Sequence, residues 1–135
     1  MNIGCIVMAA GMSSRFGGNK LAQKWQGKSL IRHALEACDA LLFQVADQPL
    51  LRRESVAELI DFYCRNPGHI VGLGHGGQRG NPCIFPAQFF PELLKIEGDR
   101  GGNVVIRQHE DDLLLYEVPA NELRDVDTQE TLAQL

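Results

Sequence analysis

Between Ala9 and Lys20 the chain reads AAGMSSRFGGNK, which packs Gly11, Gly17, Gly18, Ser13, Ser14, Arg15 and Lys20 into one short stretch. Small residues let backbone N–H groups converge on an anion, and the two cations offset the charge of a polyphosphate. Far along the chain stand carboxylates in turn-forming surroundings: Asp47 in Asp47-Gln48-Pro49, and the pair in Asp125-Val126-Asp127. An oxygen-donor site for Mg2+ uses one or two carboxylates together with substrate phosphates and water. These residue types fit attack on an α-phosphate with departure of pyrophosphate. Such a reaction needs a cation bridging phosphate oxygens, positive side chains against the leaving phosphates and an acceptor held in line. Arg15, Lys20 and Asp47 are therefore the expected catalytic group, with Asp47 as first ligand of Mg2+. Asp127 or Asp125 completes the metal site, Asp127 being favoured. The amides around residues 10–18 supply fixed donors to the nucleotide phosphates.

The elements that must hold these residues follow from periodicity. Residues 3–9 form an apolar run of strand length that leads straight into the glycine-rich loop. Ser29 is placed to cap a helix reaching about residue 38, with Leu30, Ala34, Leu35 and Cys38 on one face. A second strand, residues 41–46, ends at Asp47 because Pro49 favours an extended Gln48 and halts it. Residues 53–65 carry Val56, Leu59, Ile60 and Tyr63 at helical spacing and stop at Asn66-Pro67-Gly68. A strand at 70–73 leads into a loop over 74–80, then a further extended run at 82–85. Helices are expected at 88–96 and 103–109, a last strand at 111–119, and a terminal helix capped by Thr128. Trp25, Phe43, Tyr63, Phe85, Phe89 and Phe90 are expected to pack. Alternation of strands and helices makes this an α/β domain with a mainly parallel sheet, and no repeat or linker divides the 135 residues.

Composition narrows the field. A formal net charge of -4 argues against general nucleic-acid affinity. Residues 1–38 nevertheless hold five Lys/Arg against one Glu, whereas residues 39–135 hold eight against sixteen acids, so basic charge gathers around the glycine-rich loop. Cys5, Cys38, Cys64 and Cys83 are widely spaced and read as buried thiols in a reducing compartment. With no leader and no long apolar span, the expectation is a cytoplasmic chain that makes no membrane contact. Two nucleotide signatures fail on context. Residues 72–77, GLGHGG, satisfy GxGxxG but run on into an extended segment rather than a helix. Gly27-Lys28-Ser29 resembles the end of an NTPase phosphate loop, yet Ala22 stands where its first glycine belongs. Hydride transfer and ordinary ATPase chemistry are thereby set aside. The four histidines are scattered, and local sequence argues for neither a His/Cys metal cluster nor a Ser-His-Asp arrangement.

Residues 8–20, Asp47-Gln48-Pro49, Arg79-Gly80-Asn81-Pro82, Gly98-Asp99-Arg100-Gly101-Gly102 and Asp125-Val126-Asp127-Thr128, in this order, resemble the molybdenum cofactor nucleotidyltransferases. The likeness is to the cytidylyltransferase branch of the MobA-like NTP transferases, and it covers nearly the whole chain. It implies a three-layer, nucleotide-diphospho-sugar transferase-like (Rossmann-like) fold and Mg2+-dependent transfer of CMP from CTP to the molybdenum-pterin cofactor. It further implies that Ala9, Ala10, Gly11, Ser13, Arg15 and Lys20 bind the nucleotide and that Asp47, with the acidic element at Asp125–Asp127, holds the metal. Arg79, Gly80, Asn81 and Pro82, together with Gly98, Asp99 and Gly101, would line the acceptor side. Asn81 stands where the resembled proteins often carry His, and Asn103 where Arg is common.

One departure is larger. After Cys38 the resembled proteins carry a further strand–helix–strand block, and here only Asp39 and Ala40 intervene. The fold is thus expected to be truncated, with the first strand beside the 41–46 strand and bare on its other side. An apolar edge of that kind is normally paired or covered, which predicts self-association along it or a partner laid over it. Loss of the block also removes walls around the base and ribose, weakening base preference. Two alternatives stand beside cofactor cytidylylation: nucleotidyl transfer to a sugar or polyol phosphate, and a non-catalytic nucleotide-binding or assembly protein on a shortened fold.

Overall fold

The computed structural model describes residues 1–8, 24–25, 28–95, 102–126 and 128–135. Its main sheet is built from β1 (Ile3–Met8), β4 (Ala40–Val45), β5 (Ile70–His75), β6 (Gln78–Pro86) and β7 (Leu113–Glu117) in the order β1-β4-β6-β5-β7. β1 pairs parallel to β4 and β5 parallel to β7, while β6 is antiparallel to both β4 and β5. Four of the five strands therefore point the same way and β6 alone runs against them, so the mainly parallel α/β fold stands. A two-stranded antiparallel ribbon, β2 (Lys24–Trp25) with β3 (Lys28–Ser29), lies ahead of helix α1 (Leu30–Glu36).

Both faces of the sheet are covered, as alternation along its strands requires. Ala40, Leu42, Val71, Leu73 and Ile84 point to the face closed by Leu59 and Tyr63 of helix α2 (Arg53–Arg65). Leu41, Ile70, Cys83 and Phe85 point to the other face. There they meet Leu35 of α1, Phe90 and Leu93 of helix α3 (Phe90–Leu93), and Val105 and Ile106 of helix α4 (Asn103–Gln108). A short helix α5 (Gln129–Ala133) follows Thr128, whose hydroxyl oxygen accepts the N–H of Thr131 at 3.1 Å, the expected cap. The expected helix at 53–65 stands residue for residue, and Tyr63, Phe85, Phe89 and Phe90 are buried.

Two expectations need correction. Residues 74–80 form no loop: β5 continues to His75 and β6 starts at Gln78, with Gly76 at φ 57 and Gly77 at φ 81 between them. Positive φ at both turn residues is what a tight hairpin with right-handed strand twist needs, and glycine meets it without strain. The cysteines are also less hidden than expected, since Cys5 and Cys64 are exposed, Cys38 is half-buried and only Cys83 is buried.

The connection from α1 to β4 has just three residues, 37–39, and its closure is visible in the hydrogen bonds. Asn2 N–H donates to the Asp39 carboxylate at 2.7 Å, and the Asn2 carbonyl accepts Asp39 N–H at 2.7 Å. Helix α1 can return this tightly because β1 offers Gly4, where a Cβ would come within 2.3 Å of Cys38 Sγ. β1 consequently ends the described sheet on one side, with Val7 62% exposed.

A buried carboxylate fixes the opposite end of the chain. Glu122 is 1% exposed and accepts Arg52 N–H at 3.0 Å and the Ser55 hydroxyl at 2.6 Å, at the start of α2. Arg52 itself provides no side-chain cap, so Glu122 does so from 70 residues away. Glu122→Ala strands two buried donors and is expected to cost on the order of 2–3 kcal/mol in urea unfolding. Glu122→Gln keeps an acceptor oxygen and should lose clearly less.

Candidate active site

The carboxyl ends of β1 and β4 lie level, since Met8 is opposite Val45. The chain therefore leaves β1 toward the glycine-rich stretch at the same end of the sheet where β4 delivers Asp47. Asp47 is half-buried, and its Oδ1 is fully buried without a hydrogen-bond partner among the described residues. Its carbonyl oxygen accepts Val126 N–H at 2.8 Å, which seats the Asp125-Val126 backbone directly beside it. Gln48, only 7% exposed, donates from Nε2 to the Leu123 carbonyl at 3.2 Å. With the Glu122 bonds, these contacts stitch residues 122–126 along residues 47–55.

A buried carboxylate oxygen with no donor is costly unless a cation or ligand donor meets it. The donor set at Asp47 is all oxygen, which suits a hard divalent cation. Among the described residues no group of three His, Cys, Asp or Glu is arranged to hold a metal. One or two carboxylates completed by phosphate oxygens and water are what Mg2+ uses, so the residues present fit that ion.

A cleft of about 110 Å³ opens between β4 and β6, reaching Val45 at the end of β4. The β4–β6 ladder runs from Ala40↔Pro86 to Phe43↔Cys83 and stops, and the β5–β6 ladder is interrupted between Gly72 and Gly74. Both breaks coincide with residues 80–82, where Pro82 has no N–H to give and the Asn81-Pro82 bond is cis. Interruptions of this kind re-aim side chains and recur beside active sites. Here Arg79, Asn81, Cys83 and Phe85 line the cleft, facing Phe43 and Val45 of β4 and Gly102, Asn103 and Ile106 at α4. Phe43 meets the Phe85 ring edge-on, with centroids 5.5 Å apart. Arg79 Nη2 donates to Asn103 Oδ1, and Nη1 reaches Cys83 Sγ and the Gly80 carbonyl, both at 3.4 Å. Burial pushes the Cys83 thiol up, with the Arg79 guanidinium opposing. The group is thus a protonated thiol at neutral pH, and its Sγ donates to the Gly80 carbonyl at 3.4 Å.

Of the residues singled out from sequence, Asp47, Arg79 and Asn81 stand at this end of the sheet. Gly80 instead abuts Leu123, and Pro82 is fully buried. Ala9, Ala10, Gly11, Ser13, Arg15, Lys20, Gly98, Asp99, Gly101 and Asp127 lie outside the described residues. Sequence reasoning missed Glu122, Ser55 and Cys83. Glu122 carries no local signal, for in PANELRD it reads as an ordinary surface acid.

The mainly parallel α/β sheet with a carboxylate at a strand end agrees with a nucleotidyltransferase, the class that the family match gives. The chain belongs to the family of MobA-like NTP transferase domains, whose model matches residues 5–45 and 35–113. The two matched pieces overlap across the three-residue connection between α1 and β4.

Similar solved structures include Rv0371c from Mycobacterium tuberculosis H37Rv, with a TM-score of 0.71 at 18% identity over 98% of this chain and 96% of that one. A manganese complex of the same mycobacterial protein gives 0.69 at 16% identity, covering 99% and 97%. A nucleotidyl transferase from Methanothermobacter thermautotroptrophicus gives 0.63 at 13% identity, covering 98% and 95%. These likenesses establish the fold. No curated protein matches the chain closely enough to carry an argument.

Asp47→Ala should abolish divalent-dependent nucleotide binding in calorimetry while the far-UV circular dichroism stays unchanged. Binding equal to the wild type would remove Asp47 from the metal site.

Proposed function

We propose that the chain catalyses Mg2+-dependent transfer of CMP from CTP to the molybdenum-pterin cofactor, releasing pyrophosphate. The observation that carries this reading is the buried, unpartnered Oδ1 of Asp47 at the strand end where β1 also delivers the chain to its glycine-rich stretch. Mg2+ would be held by Asp47 and Asp127; when bound, it neutralises phosphate charge and polarises the phosphoryl oxygens. Ala9, Ala10, Gly11 and Ser13 bind the nucleotide, and Arg15 and Lys20 draw charge onto the leaving phosphates. Arg79, Gly80, Asn81, Pro82, Gly98, Asp99 and Gly101 form the acceptor side. In this assignment Arg79 and Asn81 act through their side chains, while Gly80 and Pro82 shape the break in β6 that opens the cleft. The whole of 1–135 acts as one domain.

The mycobacterial neighbour was solved in complex with manganese, which supports a divalent-ion requirement in this reading. A cytoplasmic setting belongs to the same proposal, in keeping with the thiols of Cys5, Cys64 and Cys83. No helix of the described residues is long and apolar enough to cross a membrane. A second reading, transfer to a sugar or polyol phosphate, draws on other structural neighbours. One is CMP:2-keto-3-deoxy-manno-octonic acid synthetase complexed with CTP, with a TM-score of 0.59 at 11% identity over 99% of this chain and 96% of that one.

Product analysis after incubation with Mg2+, CTP or GTP, and molybdenum cofactor separates these readings. The expected result is pyrophosphate release with CMP attached to the cofactor and little GMP product. Equal use of both nucleotides would mean that base recognition is lost, and CTP binding without pyrophosphate would leave a non-catalytic nucleotide-binding protein.

The exposed edge of β1 is proposed to pair with a second copy. Sedimentation velocity should then show a concentration-dependent dimer that Val7→Lys, a charge placed on an edge strand, shifts to monomer. A wild-type monomer at every concentration would refute the pairing.

A further inference from the structure

Arg79 is the cation among the described residues that line the cleft, and its surroundings are unusual for an arginine at a partly buried site. Its three hydrogen-bonding partners, Asn103 Oδ1, Cys83 Sγ and the Gly80 carbonyl, are all neutral. Among the described residues no carboxylate lies within ion-pair distance of it. The guanidinium is held in place, and no carboxylate among the described residues compensates its charge. Its planar fork carries five N–H donors, of which Nη1 is spent on Cys83 and Gly80 and one of Nη2 on Asn103. Nε–H and the second N–H of Nη2 remain, and donors of a planar guanidinium match a phosphate better than any point charge does.

We propose that Asn103 is a positioning residue that holds the Arg79 guanidinium across the cleft so that its remaining N–H groups take the oxygens of a phosphate monoester on the acceptor. This rests on the reading of the cleft as the acceptor side. Asn103 does two things that neither a carboxylate nor an apolar residue does. Its carboxamide oxygen orients the fork, and being neutral it does not consume the charge. An Asp there would pair with Arg79 and repel an incoming phosphate. An Ala would free the side chain to rotate. Phe43, Phe85 and Ile106 line the cleft beneath the Arg79–Asn103 pair and offer the guanidinium no competing charge.

The test uses inorganic phosphate as probe and the Arg79 Nε–H resonance as reporter in the full chain. In the wild type, phosphate is expected to shift that resonance saturably. Asn103→Asp should weaken the response about tenfold or more, the usual scale for a charge-assisted hydrogen bond. Asn103→Ala should weaken it less, and Asn103→Gln, which restores a carboxamide oxygen, should recover part of it, all with unchanged melting temperature. A wild-type Arg79 resonance indifferent to phosphate, or an Asn103→Asp response equal to the wild type, overturns the proposal. The outcome is separable from the transfer reading: phosphate binding at Arg79 with no pyrophosphate release from CTP in the presence of Mg2+ and molybdenum cofactor would sustain this site and refute CMP transfer to that cofactor.

Discussion

A carboxylate buried at the start of a helix determines where the last quarter of this chain lies. Glu122 meets the N–H of Arg52 and the hydroxyl of Ser55 in the interior, where each bond replaces solvation that burial has removed. Its neighbour Leu123 accepts from Gln48, and three residues further on Val126 donates to Asp47. These contacts form one seam between the segment that follows β4 and the segment that follows β7. The sheet alone would not make it, because β4 and β7 are separated by β6 and β5. The Asp125-Val126 backbone reaches the strand-end aspartate through the seam and not through strand pairing.

That distinction explains what was legible in the sequence. Strands and helices followed from periodicity, because burial on both sheet faces writes apolar runs into β4, β5 and β6, and a half-buried helix writes its spacing into residues 53–65. Asp47 was legible because Pro49 marks where the strand must stop. Long-range polar pairings leave no such trace. Nothing around Glu122 tells it apart from the exposed Glu130, and its role emerges only when α2 is found to begin at residues that do not cap it. The hairpin at Gly76-Gly77 was misread for a local reason: a glycine-dense stretch reads as a loop, although two adjacent glycines are also what a tight turn between paired strands requires.

The shortened connection after α1 has a similar logic. Closing three residues onto the start of β1 is feasible only where side chains do not obstruct, and Gly4 under Cys38 supplies that room. Asn2 and Asp39 then satisfy the main-chain groups that so short a turn would otherwise leave bare. The adjacency of β1 and β4 thereby survives, and with it the alignment of their carboxyl ends. The cost falls on the far side of β1, where an edge strand carries an exposed Val7.

The consequences for selectivity are uneven. In the proposed reading, phosphate and metal recognition belongs to the ends of β1 and β4 and to the seam, away from the outer edge of β1. The cleft depends on the interrupted ladders of β6 and on α4, which lie farther still from β1 in the sheet. Only walls on the outer side of β1 are withdrawn, and by resemblance those are the walls that enclose base and ribose. On that proposal, a site that keeps its phosphate contacts and its cleft but loses base contacts draws its discrimination from the acceptor. In the described residues that burden falls on one guanidinium with neutral neighbours and an apolar floor. Sequence change in this shortened domain should therefore be tolerated least at the break in β6 and at the Glu122 seam, and most along the outer edge of β1.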